Sequence, residues 1–395
     1  MCGIAGFCNF KEDFEENTDY WNFRLEKMRA VLAHRGNDAR GRFLKKHIGL
    51  SHSRLAIRDI LCGDQPMTRT HNGYDYTICY NGEIYNTDEL IPELSENGFV
   101  CSTTSDTEVI LYAYIHWGAD FVNRLNGIFA FAIWDAAKNR LLLYRDRVGV
   151  KPLFYAIRGD SLVFGSEPKA CFAHPAVKPE LDKQGLQELL AIGPAHTSGL
   201  SLFKDLFEVL PGHFMIYSQN GLHDETYWEL TSREHTESYQ DTVAHTRFLV
   251  EDAIKRQMVS DVPVCTFLSG GIDSSIVTAI AANYMNTRGK TLNTFSFDFK
   301  DNDRYFKANA FQPERDLPYV NRMLEEYETA HSYLECDENS LFKALFAAVD
   351  AKDMPGMTDV DSSLLYFCSL VSQKNKVALT GECADEIFGG YPWFY

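Results

Sequence analysis

Met1-Cys2-Gly3-Ile4-Ala5-Gly6-Phe7 opens the chain, and its second residue decides how the rest is read. Removal of one initiator methionine would make Cys2 the N-terminal residue, placing a nucleophile and a base on one residue. The thiol attacks as thiolate. Its ordinary pKa of about 8.5 lies close enough to the about 7.7–8.0 of a free α-amine for the amine to take its proton. No separate histidine is then required. The small Cys2 side chain lets the methionine be trimmed, and Gly3 and Gly6 allow the backbone to approach a substrate closely. On its own, Cys2 reads equally well as a buried packing residue of a first strand, because free cysteines are often buried.

The rest of the chain gives that residue its setting. At 395 residues the chain exceeds the size at which one core keeps growing, so two domains are expected. Apolar content of 45% and aromatic content of 13% suffice to fill both. A formal charge of −17 argues against nucleic acid or an anionic membrane as partner, since phosphate binding needs clustered Lys and Arg. Ten cysteines without a C-x-x-C pair suit a reducing cytosol better than secretion. Cys8, Cys62 and Cys79 lack metal-ligand spacing and read as packing residues. Lys11, Glu12 and Asp13 interrupt the N-terminus before a signal-peptide core could form. The longest apolar stretch, around Gly127 to Trp134, is too short to span a bilayer. A soluble, cytoplasmic protein is expected.

Up to about residue 215 the sequence runs in short apolar or alternating stretches broken by Gly, Pro and Asn: Ile48 to Ile57, Tyr76 to Tyr80, Ile128 to Trp134, Arg140 to Arg145, Leu162 to Gly165 and His213 to Tyr217. Helical stretches at Asp19 to Ala33 and Thr107 to Gly118 interrupt them. This predicts a strand-rich α+β domain over 2–217. Ser218 to Glu237 is polar and reads as a linker. From 238 to 395 the pattern changes: a helix at Tyr239 to Met258, a buried strand at Val262 to Leu268, a helix at Ser274 to Tyr284, a strand at Thr291 to Phe299, a helix at Leu317 to Tyr327 and a short strand at Lys376 to Thr380. Such alternation predicts a parallel, doubly wound sheet.

Downstream of Cys2 stand His34-Arg35-Gly36, Ser53-Arg54-Leu55-Ala56-Ile57, Asn81-Gly82-Glu83-Ile84-Tyr85-Asn86 and Thr104-Ser105-Asp106-Thr107-Glu108. Singly they are weak: an Arg in a strand is ordinarily solvated, Asn-Gly is ordinarily a turn, and Ser-Asp-Thr-Glu is ordinarily a helix cap. Their joint order after Cys-Gly-Ile-x-Gly closely resembles the class II glutamine amidotransferases, N-terminal-nucleophile hydrolases with an αββα sandwich that release ammonia from glutamine. The resemblance implies that Cys2 attacks the side-chain amide of glutamine and forms a γ-glutamyl thioester, which water hydrolyses. Asn81 through its side chain and Gly82 through its N–H would form the oxyanion hole. Arg54 would hold the substrate α-carboxylate with its planar fork, and Asn81, Glu83 and Asp106 would complete the glutamine site, the two carboxylates facing the α-ammonium. Asn37 stands where that family commonly has proline, and Asn tolerates turn geometry.

Ser269-Gly270-Gly271-Ile272-Asp273-Ser274-Ser275 follows a hydrophobic strand and opens a helix, where glycines and unpaired N–H groups can cradle phosphate. It has no Walker A lysine. The run resembles the pyrophosphate loop of ATP pyrophosphatases, and Thr380-Gly381-Glu382-Cys383-Ala384-Asp385-Glu386-Ile387-Phe388-Gly389-Gly390-Tyr391 resembles the segment that closes over ATP and acyl-adenylate in asparagine synthetases. The resemblance implies that Leu268, Ser269, Gly270, Gly271, Asp273, Ser274, Ser275, Phe297, Thr380 and Gly381 contact ATP. Asp273 and Asp385 would hold Mg²⁺, and Glu382 would support adenylate formation and ammonia attack.

Together the two sets resemble the glutamine-hydrolysing asparagine synthetases. The expected fold is an α+β N-terminal-nucleophile hydrolase sandwich followed by an α/β doubly wound ATP-pyrophosphatase domain. The expected chemistry turns glutamine, aspartate and ATP into asparagine, glutamate, AMP and pyrophosphate, with ammonia passing internally from Cys2 to the adenylate. A homodimer is left open. Two alternatives stay open as well: a related amidotransferase acting on another carboxylate, and a protein with glutaminase activity only. In that family a long, mainly helical continuation follows Gly-Gly-Tyr. Here five residues follow Gly390, so the reading is of a member truncated at its C-terminus, with Trp393-Phe394-Tyr395 as a terminus where an interior turn is expected.

Overall fold

Strand Gly3–Asn9 is buried along its whole length, and its alternate residues enter different cores. Ile4 and Cys8 join Ile48, Leu50, Leu162 and Phe164 against Ala130, Ala132, Leu141, Leu143 and Met215. Ala5 and Phe7 face the other way, onto Trp21, Leu25 and Met28 of helix Thr18–Ala30 and onto Ala170 and Cys171. Strand Gly127–Asp135 repeats the arrangement, with Phe129, Phe131 and Ile133 turned toward Val109, Ile110, Ala113 and Tyr114 of helix Asp106–Trp117 and Leu90 and Leu94 of helix Thr87–Glu96. The period of two therefore builds four layers, helix, sheet, sheet, helix.

The structure is a computed structural model that describes residues 1–308 and 313–391; the Trp393-Phe394-Tyr395 end lies outside the described residues. The chain divides into two units, Met1–Ser232 with Lys352–Gly356, and Arg233–Ala351 with Met357–Tyr395. The first unit holds two six-stranded sheets, antiparallel at every pairing. One runs Phe207–Glu208, Phe154–Arg158, Ser161–Gly165, Gly3–Asn9, Ile48–Arg54, Ala39–Lys45; the other runs Gly221–Thr226, His213–Ser218, Arg140–Arg145, Gly127–Asp135, Tyr74–Ile84, Met67–His71.

Two expectations are corrected here. Residues 218–237 are not wholly a linker, because Gly221–Thr226 pairs antiparallel with His213–Ser218 as the edge of the second sheet. An edge strand with mostly exposed residues needs no apolar face, which is why its polar sequence concealed it. Cys8 and Cys79 are buried in the core between the sheets, but Cys62 is exposed. It lies on a loop whose backbone is held by Asp59 Oδ1, 2.8 Å from the Cys62 N–H, and is not a core residue.

The second unit is built on four parallel strands in the order Thr329–Cys336, Leu292–Phe299, Val264–Phe267, Val377–Leu379. Val264, Leu292, Val377 and Leu379 pack with Ala281 and Ala282 of helix Ile272–Asn286. Cys265, Phe295 and Ala378 pack with Phe367 and Val371 of helix Thr358–Val371. Alternate residues of the same strands thus meet helices on opposite faces, as a doubly wound sheet requires. No helix among the described residues is long and apolar enough to cross a membrane.

Candidate active sites

In the antiparallel pairing of Gly3–Asn9 with Ile48–Arg54, Gly3 lies opposite Ser53, which brings Cys2 beside the residues that follow Arg54. The Leu55 N–H donates to Cys2 Sγ at 3.4 Å, and Sγ lies 3.6 Å from the Leu55 carbonyl. Burial pushes the Cys2 thiol up from its ordinary value, while the Leu55 hydrogen bond, the amino terminus and Arg54 pull against it. The thiol is thus protonated at rest and needs a base. Met1 has a half-exposed side chain, yet burial of its amino group pushes that amine down to about 6.

Gly36 packs closely against the Arg54-Leu55 segment. A Cβ there would lie 2.3 Å from the Arg54 carbonyl carbon and 2.4 Å from the Leu55 nitrogen, the segment that lines the thiol. Beside it, Asp38 accepts the Ala56 N–H at 2.8 Å, and the Asp38 N–H reaches the Arg54 carbonyl at 2.9 Å.

Asn81, Gly82 and Glu83 lie near the end of strand Tyr74–Ile84. Asn81 is 1% exposed, and its Nδ2 is buried without a hydrogen-bond partner among the described residues. A buried amide donor left unpaired costs about 1–3 kcal/mol, so its retention points to an acceptor brought by a ligand. Asp106, the first residue of helix Asp106–Trp117, accepts from Tyr80 Oη at 2.9 Å and the Ile84 N–H at 3.0 Å, with Arg58 at 3.8 Å. Burial pushes its carboxyl up, against Arg58 and these hydrogen bonds. It therefore fixes the backbone just beyond Asn81-Gly82-Glu83.

Arg54 is buried, and its guanidinium faces the Arg58, Asp59 and Ile60 carbonyls and the Asp64 carboxylate. The structure therefore ties this fork to the 58–64 loop. Several residues without a predicted role also converge here. Arg35 Nε donates to the Cys2 carbonyl at 2.9 Å, and its Nη1 meets Glu167 at 2.7 Å, where His34 Nε2 also arrives at 3.0 Å. Burial would raise the Glu167 carboxyl, but the His34 and Arg35 hydrogen bonds outweigh it and hold it at about 2. His52 Nε2 donates to the Tyr80 carbonyl at 3.0 Å. Burial drives its pKa down to about 4, so it is a neutral support for the strand that carries Asn81. The sequence signal for Arg35 was its place in His34-Arg35-Gly36; Glu167 and His52 carried none.

In the second unit, Leu268 to Ser275 leave strand Val264–Phe267 and enter helix Ile272–Asn286. Ser274 Oγ accepts the Ser269 N–H at 3.3 Å, lies 3.0 Å from Ser269 Oγ and donates to the Gly271 carbonyl at 3.1 Å. No side chain caps the helix at Gly271, which leaves its first N–H groups for an anion. Gly381 packs so closely on this turn that a Cβ would lie 2.7 Å from the Ser274 nitrogen. That contact sets Gly381 against the loop, with Asp385 near Asp273. Burial and the neighbouring Asp385 push the Asp273 carboxyl up, while Glu382 is exposed. Leu268, Ser269 and Phe297 line a cavity of about 180 Å³ with Ser296, Asp298 and Tyr333. Among the described residues no three His, Cys, Asp or Glu side chains gather to hold a metal. Asp273 and Asp385 fit a cation whose other ligands are phosphate oxygens and water.

These folds and sites define a class: an N-terminal-nucleophile amidotransferase sandwich joined to an ATP-pyrophosphatase unit. The family described as "Glutamine amidotransferase domain" matches residues 1–228, and that described as "Asparagine synthase" matches residues 245–395. The chain is 48% identical over 396 residues to "Asparagine synthetase [glutamine-hydrolyzing] 3" of Bacillus subtilis, covering 100% of itself and 64% of that relative. It is 32% identical over 419 residues to "Putative asparagine synthetase [glutamine-hydrolyzing] 2" of Methanocaldococcus jannaschii, covering 99% of itself and 76% of that protein. It is 33% identical to "Asparagine synthetase [glutamine-hydrolyzing] 1" of Bacillus subtilis, covering 99% of itself and 59% of the relative. The chain belongs to the glutamine-hydrolysing asparagine synthetase family, and it spans about 64% of the length of the first of these relatives.

Proposed function

We propose that the chain carries out glutamine-dependent asparagine synthesis, with glutaminase chemistry in residues 2–217 and adenylation in residues 238–395. The observation that carries this reading is the buried, unpartnered Nδ2 of Asn81 in a first unit whose Cys2 thiol is seated on the Leu55 backbone. With Met1 removed, the Cys2 amine takes the thiol proton as Sγ adds to the side-chain carbonyl of glutamine. Asn81 Nδ2 and the Gly82 N–H receive the oxyanion. The amine then passes its proton to the leaving nitrogen, ammonia departs, and water cleaves the thioester to glutamate. Glu83 and Asp106 oppose the substrate α-ammonium, and Arg54 its α-carboxylate. Both terminal nitrogens of Arg54 are engaged by the 58–64 loop, so in this role substrate would displace part of that set of acceptors.

In the second unit ATP is a substrate. Leu268, Phe297, Thr380 and Gly381 would line the nucleotide, and Ser269, Gly270, Gly271, Ser274 and Ser275 would hold its phosphates. Asp273 and Asp385 would hold Mg²⁺, which supplies positive charge against the departing pyrophosphate. The aspartate carboxylate displaces pyrophosphate to give β-aspartyl-AMP, Glu382 assists, and ammonia displaces AMP to give asparagine. The cytoplasm suits this chemistry.

The test is to incubate the protein with glutamine, aspartate and ATP and to measure glutamate, AMP and asparagine. All three products are expected, and Cys2→Ala should abolish glutamate formation while leaving ammonia-dependent asparagine formation. Glutamate without AMP would reduce the reading to a glutaminase. Glutamate formation that survives Cys2→Ala would overturn the nucleophile.

A further inference from the structure

We propose that Lys151 is a positioning residue of the glutaminase centre: a clamped loop holds its Nζ beside the amino end of the chain so that, once Met1 is gone, it keeps the Cys2 amine in the free-base form. This rests on the glutaminase reading above and assigns a group that the reading does not use.

Lys151 is 7% exposed, and its Nζ donates to Met1 Sδ at 2.9 Å. A thioether is a weak acceptor, and loss of Met1 removes it. No ion pair holds Lys151 among the described residues, although buried lysines are ordinarily paired. The loop that delivers it is held at several backbone atoms by two buried side chains. Asp146 accepts the N–H groups of Phe129, Val148, Val150 and Lys151 at 2.9–3.2 Å. Arg145 donates to the carbonyls of Gly149, Lys151 and Val209 at 2.6–3.1 Å and to Glu208 at 2.9 Å. So many bonds spent on one short loop leave the lysine little freedom to turn away.

The charged and titratable groups around it come from several elements. Arg35 reaches the centre from the turn Ala33–Arg35 and Glu83 from strand Tyr74–Ile84; Asp146 lies on the lysine's own loop, the Cys2 thiol completes the set, and Arg54 of strand Ile48–Arg54 acts on that thiol. Burial is the main cause of the low pKa of the Met1 amine, and Arg35 and Lys151 both add to it against Cys2 and Glu83. A cation beside an amine makes its protonation harder, and a general base must be unprotonated to act. Lys151 therefore acts through the amine and need not touch the glutamine.

The experiment is the pH profile of kcat/KM for glutamine hydrolysis in the full chain, compared among wild type, Lys151→Met and Lys151→Arg. The acidic limb reports protonation of the amine, so losing the nearby cation should move that limb upward by about one pH unit, and Lys151→Arg should return it. A limb unmoved in Lys151→Met, or moved equally in both variants, would overturn the proposal. Should Lys151→Met fail to fold, Lys151→Gln read by the same profile decides: its acidic limb should lie above that of wild type, and a limb at the wild-type position would refute the idea. Retention of glutaminase activity in Cys2→Ala would instead sink the underlying reading, so the two failures are distinguishable.

Discussion

In the first unit the candidate site is held by side chains, and in the second by backbone. Arg54, Asn81 and Asp106 are each 5% exposed or less, and Tyr80 and Arg58, which meet Asp106, are also largely withdrawn from water. Around Ser269 to Ser275 the arrangement is different: Ser269, Gly271 and Ile272 are exposed, and what gathers there is a helix start and a tight glycine contact. The difference follows from the sheets. Two antiparallel sheets packed face to face bury whole strands, so a polar residue within them must be satisfied by another buried group. A parallel sheet instead presents its site at the loops beyond the strand ends, where water can replace any lost partner. Substitutions in the first unit should therefore cost stability as well as activity, and those in the second mainly ligand affinity.

The largest expected effect is Asp106→Ala. It strands the Tyr80 hydroxyl, the Ile84 N–H and the Arg58 charge, and should cost the first unit roughly 3–5 kcal/mol. Urea unfolding followed by probes in each unit should show the first transition shifted and the second in place. A shift of both would break the contrast. Next comes Asn81→Ala. Losing one oxyanion donor should lower kcat for glutamine hydrolysis about 100- to 1,000-fold, or about 2.7–4 kcal/mol of barrier. Because Asn81 Nδ2 has no partner among the described residues, unfolding should move far less than for Asp106→Ala. Comparable loss of stability would mean that Asn81 is a structural residue.

Acid should separate the halves in the same direction. His52 and His174, both in the first unit, have pKa values lowered to about 4 by burial, against about 6.5 when unfolded. Below that unfolded value the unfolded chain binds more protons, so stability rises with pH and falls as pH drops from about 6.5 to about 4. By about pH 5 the loss should reach roughly 2 kcal/mol for each histidine. This window lies above the range where Glu167 matters; its stabilisation is lost as pH falls from the ordinary glutamate value, about 4.3, toward the folded value of about 2. Replacing His52 with Asn should flatten the first-unit profile. An unchanged slope would show that His52 is not a buried neutral imidazole.

The layered fold was legible wherever a strand buries apolar side chains. Arg140 to Arg145 was read with the bounds it has, and Tyr76 to Tyr80 marked the middle of the longer Tyr74–Ile84. Edges were not legible. Gly221–Thr226 is mostly exposed, and Ala39–Lys45, the edge of the other sheet, carries Arg40, Arg42 and Lys45, so neither has an apolar period to read. The site divides similarly. Cys2, Asn81 and Asp106 stand in short motifs whose residues are near one another in sequence. Glu167 meets His34 across 133 positions, and Lys151 meets Met1 across 150, distances that only the pairing of strands closes. His52 offered no signal, because a histidine that donates one ring nitrogen to a neighbouring strand looks in sequence like any other.

Ser274→Ala is the smallest change and tests the second half of the contrast most directly. Its hydroxyl links the Ser269 N–H and the Gly271 carbonyl, and Ser274 itself is buried. Ser269 and Gly271 are nevertheless exposed, so water can take over both partners, and the stability loss should be about 1 kcal/mol. The loop would then hold its conformation less often before ligand arrives, and that ordering must be supplied from binding energy. The ATP concentration for half-maximal pyrophosphate release should rise roughly tenfold, equivalent to about 1.4 kcal/mol, while glutamine hydrolysis stays at its wild-type rate. A stability loss as large as that of Asp106→Ala would place this turn with the side-chain-held sites. A parallel fall in glutamine hydrolysis would show that the two units do not fail independently.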